Sequence, residues 1–145
     1  MCIANFFMHF HQTAIPMDEL KAIKLNRKIK ASPEEVYRAL TNPFTIELWT
    51  GEPAVMSEEP GSPFTMLEGA ITGENIAFER DKSIRQKWFF GEDHASEVLI
   101  ELFPDKNQTQ VRILHTGIPE DAYDNMLTGW KEVYLASLQD FFELA

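Results

Sequence analysis

The clearest periodicity lies at the end of the chain. Across residues 120–144 the apolar positions include Tyr123, Met126, Leu127, Trp130, Tyr134, Leu138, Phe141 and Phe142. Their steps of three and four residues place them on one stripe of a helix. At 1.5 Å per residue a helix of about 25 residues runs roughly 35–40 Å, long enough to cross a small sheet. Residues 54–116 read instead as strands and hairpins. Residues 22–29 alternate as well, with Ile23, Leu25, Arg27 and Ile29 opposite Lys24, Asn26, Lys28 and Lys30. That pattern predicts a half-exposed strand with a basic outer face. Next, Ser32 is a good N-cap, Pro33 suits the first helical position, and Glu35 completes a capping box. This first helix runs to about Thr41, where Asn42-Pro43 ends it, and a second short helix over 44–49 closes at Gly51.

Further strands are expected at 54–57, 64–67, 69–78, 83–90, 96–103 and 109–116, with Gly117-Ile118-Pro119 breaking the sheet before the final helix. Short turns between strands imply an antiparallel meander of about six to seven strands, with the long helix on one face. The fold class is therefore α+β. Strand parity separates the faces. Ile84, Gln86, Trp88 and Phe90 share one side, as do Val98, Ile100 and Leu102, and Val111, Ile113 and His115. These sets are assigned to the face beneath the helix. Gln86 and His115 are polar on this apolar face. Burial there costs on the order of 1–3 kcal/mol unless each finds a hydrogen bond, a water or a ligand.

Composition narrows the function. With 145 residues the chain fits one domain, able to fold without disulfide or metal. Eleven Phe within a 12% aromatic content favour a large apolar interior or cavity. A net charge of −10 argues against nucleic acid and against anionic membrane surfaces. The one cysteine, Cys2, allows no internal disulfide, and no apolar stretch reaches a membrane span, so a cytoplasmic location is expected. Residues 1–20 are read as an N-terminal extension, a loose arm or the product of an upstream start, because Met17 opens a plausible start of its own. The domain is assigned to residues 21–145.

The motifs Ser-Pro-Glu-Glu-Val-Tyr-Arg-Ala-Leu-Thr-Asn-Pro at 32–43, Trp49, Gly69-x-Ile71-Thr72-Gly73-Glu74 and Lys82-x-Ile84-x-Gln86-Lys87-Trp88 form an ordered set. Leu114-His115-Thr116-Gly117-Ile118-Pro119 and Gly129-Trp130-x-x-x-Tyr134 complete it. Together they resemble the C-terminal domain of the activator of heat-shock protein ninety ATPase family, within the START-like (birch-pollen-allergen-like) superfamily. The resemblance spans about residues 21–144. It implies a helix-grip fold, in which a curved antiparallel sheet wraps the C-terminal helix around a cavity. In the eukaryotic co-chaperone a separate N-terminal domain carries much of the chaperone contact, and at 145 residues this chain is not expected to have room for it. Pro60-Gly61-Ser62 departs from the second glycine found in many related chains.

Under that fold the cavity-lining candidates are Trp49, Met66, Gln86, Trp88, Ile100, Ile113, His115, Met126 and Trp130. The indoles offer broad apolar walls with one donor each, and Trp49 follows a short helix near the expected mouth, where it would gate access. Met66 and Met126 would let a cavity adapt to different guests. Plain core packing explains the same residues. No carboxylate or nucleophile is paired with His115 by sequence, so no catalytic residue is assigned and the chain is not read as an enzyme. His9-x-His11 has no third ligand, the acidic pairs 58–59, 92–93 and 120–121 fall in turns or at a helix start, and Gly69-x-x-x-Gly73 lacks the features of a phosphate loop. No metal or cofactor is expected. Two functions follow: a module binding a small hydrophobic molecule, or a chaperone-accessory domain whose partner is a heat-shock chaperone.

Overall fold

The computed structural model describes residues 20–144. Cys2, His9, His11 and Met17 lie outside them. Strand β1 (Leu20–Ile29) is followed by helices α1 (Pro33–Thr41) and α2 (Pro43–Thr50). Then come β2 (Pro63–Met66), β3 (Ile71–Glu79), β4 (Ser83–Phe90), β5 (His94–Asp105) and β6 (Gln108–Pro119). The C-terminal helical run comprises a 3-10 turn (Glu120–Ala122), α3 (Tyr123–Thr128), a π-helical turn (Gly129–Tyr134) and α4 (Leu135–Leu144). All strand pairs are antiparallel, in the order β1-β6-β5-β4-β3-β2, so the first strand closes against the last.

The capping signals act as read. The Ser32 hydroxyl accepts from the Glu35 amide at 3.2 Å, and the Glu35 carboxylate accepts from the Ser32 amide at 3.1 Å. That backbone hydrogen bond, above all, lowers the Glu35 carboxyl below its usual range. Asn42 serves both helices: its amide donates to the Arg38 carbonyl at 2.9 Å, and its side-chain oxygen accepts from the Phe44 and Thr45 amides. One residue thus sets the corner between α1 and α2.

Three expectations about the elements are corrected. Residues 54–57 form no strand, and only Val55 bridges Thr65, through a pair of 3.0 Å hydrogen bonds. Asn75 holds the loop that follows, its side-chain amide donating to the Ser57 carbonyl at 3.2 Å and the Ser62 hydroxyl at 3.1 Å. Residues 117–119 do not break the sheet. They remain in β6, where Gly117 has φ +75° and the pairing with β1 shifts register between Lys21 and Ile23. Glycine there gives the bulge its left-handed residue without steric cost.

The final helix is also not a continuous α-helix. Met126, Trp130, Tyr134 and Leu138 are spaced by four, and each such step overshoots an α-helical turn by roughly 40°. The wider π turn at Gly129–Tyr134 offsets that drift, and all four side chains are buried. Strand parity holds throughout: each residue assigned to the inner face of β4, β5 and β6 is buried. Gly73 marks the tightest point of the sheet, because a Cβ there would lie 2.0 Å from the Lys87 carbonyl oxygen.

Candidate functional site: a sealed aromatic interior and an open groove

Every cavity candidate is buried: Trp49, Met66, Gln86, Trp88, Ile100, Ile113, His115, Met126 and Trp130. Their side chains occupy the space between helix and sheet. Trp88 and Trp130 stack with centroids 4.8 Å apart and planes at 17°. Tyr134 packs on Trp130 at 4.6 Å, and Trp49 meets Tyr134 edge-on at 5.2 Å. A volume of about 10 Å³ opens beside Ile71, Trp88, Phe90 and Met126, room for a single water at most.

Both polar residues on the inner face have protein partners. The Trp130 indole N–H donates to His115 Nδ1 at 3.0 Å. An indole can only donate, so Nδ1 carries no proton and the neutral ring holds its hydrogen on Nε2. Nε2 then donates to Ser96 Oγ at 2.7 Å, and Ser96 Oγ donates to the Trp88 carbonyl at 3.0 Å. On the other side of Trp88, its indole donates to Gln86 Oε1 at 2.9 Å, and Gln86 Nε2 donates to Asn75 Oδ1 at 2.9 Å. A hydrogen-bonded chain thus crosses the interior from the C-terminal helix to the loop before β2. Burial pushes the His115 imidazole down to about 3. A neutral ring with both nitrogens engaged has no free position for acid–base work.

Asn75 and Ser96 belong to this interior although they were not singled out from the sequence, and Tyr134, read there on the helical stripe and in the Gly129–Tyr134 motif, joins them. Asn75 shares the parity of Ile71 and Gly73, and Ser96 that of Val98, so strand alternation was the available signal. The Tyr134 hydroxyl is buried and makes no hydrogen bond among the described residues, and burial raises its phenol. Trp49, expected at a mouth, donates its indole N–H to the Ala39 carbonyl at 2.7 Å.

Among the described residues, larger openings lie outside this layer. A polar cleft of about 420 Å³ is bounded by α1, the loop after Met56 and the Arg80–Asp81 turn. On its wall the Tyr37 hydroxyl donates to Glu58 at 2.6 Å, and burial chiefly, with that hydrogen bond, raises the phenol. An apolar groove of about 480 Å³ runs between α2 and α4, lined by Leu48, Trp49, Ser137, Asp140, Phe141 and Leu144. Among the described residues no group of three or more His, Cys, Asp or Glu is arranged to hold a metal ion, and no helix is long and apolar enough to cross a membrane.

A six-stranded antiparallel sheet gripping a C-terminal helix defines an α+β helix-grip domain. The chain belongs to the Activator of Hsp90 ATPase homolog 1-like protein family, which matches residues 30–143. It is 28% identical over 123 residues to activator of 90 kDa heat shock protein ATPase homolog 1 of Mus musculus, covering 83% of this chain and 36% of that protein. The homologue from Dictyostelium discoideum is 28% identical over 137 residues, covering 92% of this chain and again 36% of the relative. The chain thus spans about a third of the length of these relatives. Among solved structures, an HSP90 activator from Plasmodium falciparum superposes with a TM-score of 0.78 at 22% identity, covering 84% of this chain and 96% of that one. The Aha1 dimer from Colwellia psychrerythraea gives 0.76 at 26% identity, covering 86% and 97%.

Proposed function

We propose that this chain is a chaperone-accessory domain that works by contact with a heat-shock chaperone of the 90-kDa class, without catalysis of its own. The observation that carries this reading is the packing of the interior among the described residues: Trp49, Trp88, Trp130 and Tyr134 pack against one another, and Gln86 and His115 are satisfied by protein groups. Recognition therefore falls to the surface. The names of its curated relatives, activators of a 90-kDa heat-shock protein ATPase, support the same reading. The test is the ATPase rate of the chaperone from the same cell, with and without the full chain, beside calorimetric titration of the pair. Saturable binding with an altered rate is expected, and neither at micromolar concentration removes the reading.

A second reading is a small apolar ligand held between helix and sheet. It is favoured by the buried Tyr134 hydroxyl, which has no hydrogen-bond partner among the described residues and could take one from a guest. The π turn that carries Tyr134 is where the helix would have to shift to admit it. Tryptophan fluorescence and melting temperature, followed across fatty acids, flavonoids and sterols, test it. A saturable response with a raised Tm supports a ligand, and a flat panel rejects it.

A further inference from the structure

Among the described residues, large apolar side chains standing exposed are few: Phe44, Leu48, Val55, Phe89, Phe103 and Leu144. Half of them gather at one end of the molecule. Phe44 and Leu48, 78% and 71% exposed, are one turn apart on α2 and so share a stripe. Leu144, 87% exposed, faces Leu48 across the groove whose floor is Trp49 and Phe141. The rim is acidic. Asp140 lines the groove, Glu47 is exposed on α2, and neither forms an ion pair among the described residues. Glu52 and Glu68 lie close enough beyond α2 for a hydrogen bond between their carboxyls, which raises that of Glu52. Glu143 is partnered by Lys30 at 4.0 Å.

We infer that this groove docks an apolar segment of another polypeptide flanked by Lys or Arg. The inference deepens the chaperone-accessory reading and rests on the chain acting through protein contacts. Charge selects the occupant. Opposite signs across an interface favour association, and like signs oppose it. A second copy would bring the same acidic rim against itself, in a chain whose net charge is −10. The chain's own residues 1–19 contain apolar Ile3, Phe6, Phe7 and Phe10 but no Lys or Arg. They lack the cations that Glu47 and Asp140 would pair with. A basic amphipathic segment supplies both the apolar anchors and the cations.

The probe is a short Leu/Lys peptide with amphipathic helical spacing, titrated into the full chain, beside a Gly/Lys peptide of equal charge. The Leu/Lys peptide should bind saturably and the Gly/Lys peptide far more weakly. Phe44→Ser with Leu48→Ser removes two anchors and should weaken binding by about tenfold or more. Glu47→Lys with Asp140→Lys should weaken it too, and should also flatten its salt dependence. These positions are exposed, so unchanged melting curves exclude a folding defect. Equal affinity of the Phe44/Leu48 variant, or equal binding of both peptides, overturns the inference. So does a concentration-dependent dimer that disperses on Leu48→Ser, which would make a second copy the occupant. So does tighter peptide binding by the full chain carrying Phe6→Ser, Phe7→Ser and Phe10→Ser, which would make its own arm the occupant. Chaperone binding unaffected by the groove variants sinks the groove and leaves the accessory reading standing. Groove-dependent peptide binding with no effect on the chaperone does the reverse.

Discussion

The C-terminal helical run passes through two environments. From Met126 to Leu135 its inner side chains meet sheet and aromatic rings from every direction, and even the one indole donor of Trp130 is spent on His115. From Ser137 to Leu144 it lies beside α2 and the edge of β1 and lines the groove, so Phe141 is half-buried and Leu144 exposed. One element thus supplies a closed wall along most of its length and an open one at its end. The closed part holds the fold, and the open part is where a partner has room.

Three measurements press on that contrast. Trp130→Ala empties the centre of the aromatic stack and orphans a ring nitrogen of His115, so urea unfolding should lose about 3–5 kcal/mol. Leu48→Ser, in the open part, should move stability by no more than about 0.5 kcal/mol. Comparable losses for the two would erase the distinction between wall and groove.

Next in size is acid. The folded imidazole of His115 titrates near 3, below the free value of 6.5, so the folded state takes up this proton less readily than the unfolded chain. Above 6.5 the group exerts no penalty, and stability falls as pH drops from there toward 3, by up to about 1.4 kcal/mol per pH unit. His115→Gln, which cannot take the proton, should flatten that slope when denaturant midpoints are followed over the same range. A slope shared by both proteins would assign it to the carboxylates instead.

A small effect is also expected at Tyr134. Tyr134→Phe removes a buried hydroxyl without a partner among the described residues, so stability should stay level or rise by up to about 1 kcal/mol. A clear loss would mean that an ordered water or another group satisfies the hydroxyl, and that the closed part of the helix is wetter than its packing suggests.

Much of this was legible beforehand because it depends on local rules. The Ser32–Glu35 capping box, the Asn42-Pro43 break and the inward parity of β4 to β6 follow from period and cap chemistry that act over a few residues. The bulge at Gly117 was misread because a glycine before Ile-Pro signals an end as readily as a kink, and only pairing with Lys21 decides between them. The π turn had a readable signal, the four-residue spacing of Met126, Trp130, Tyr134 and Leu138, masked by the tolerance of any amphipathic stripe. The site was harder. Aromatic residues arranged around a cavity and aromatic residues that fill it have the same alternation, and the hydrogen bonds that bind Trp88 to Gln86 and Trp130 to His115 join side chains whose geometry is set only in three dimensions.

The pairing of β1 with β6 also governs when this molecule can finish folding. β1 is the first described strand, yet Leu20 pairs with Pro119, Ile29 with Thr109, and the Arg27 guanidinium donates to Gln139 on the helix. At ~5–20 residues per second, synthesis from β1 to the end of β6 takes roughly 5–20 s. Throughout that interval Ile23 and Ile29 have no sheet to cover them. The basic residues alternating with them, Lys24 and Lys28, keep the waiting strand charged and discourage edge-to-edge association with other nascent chains.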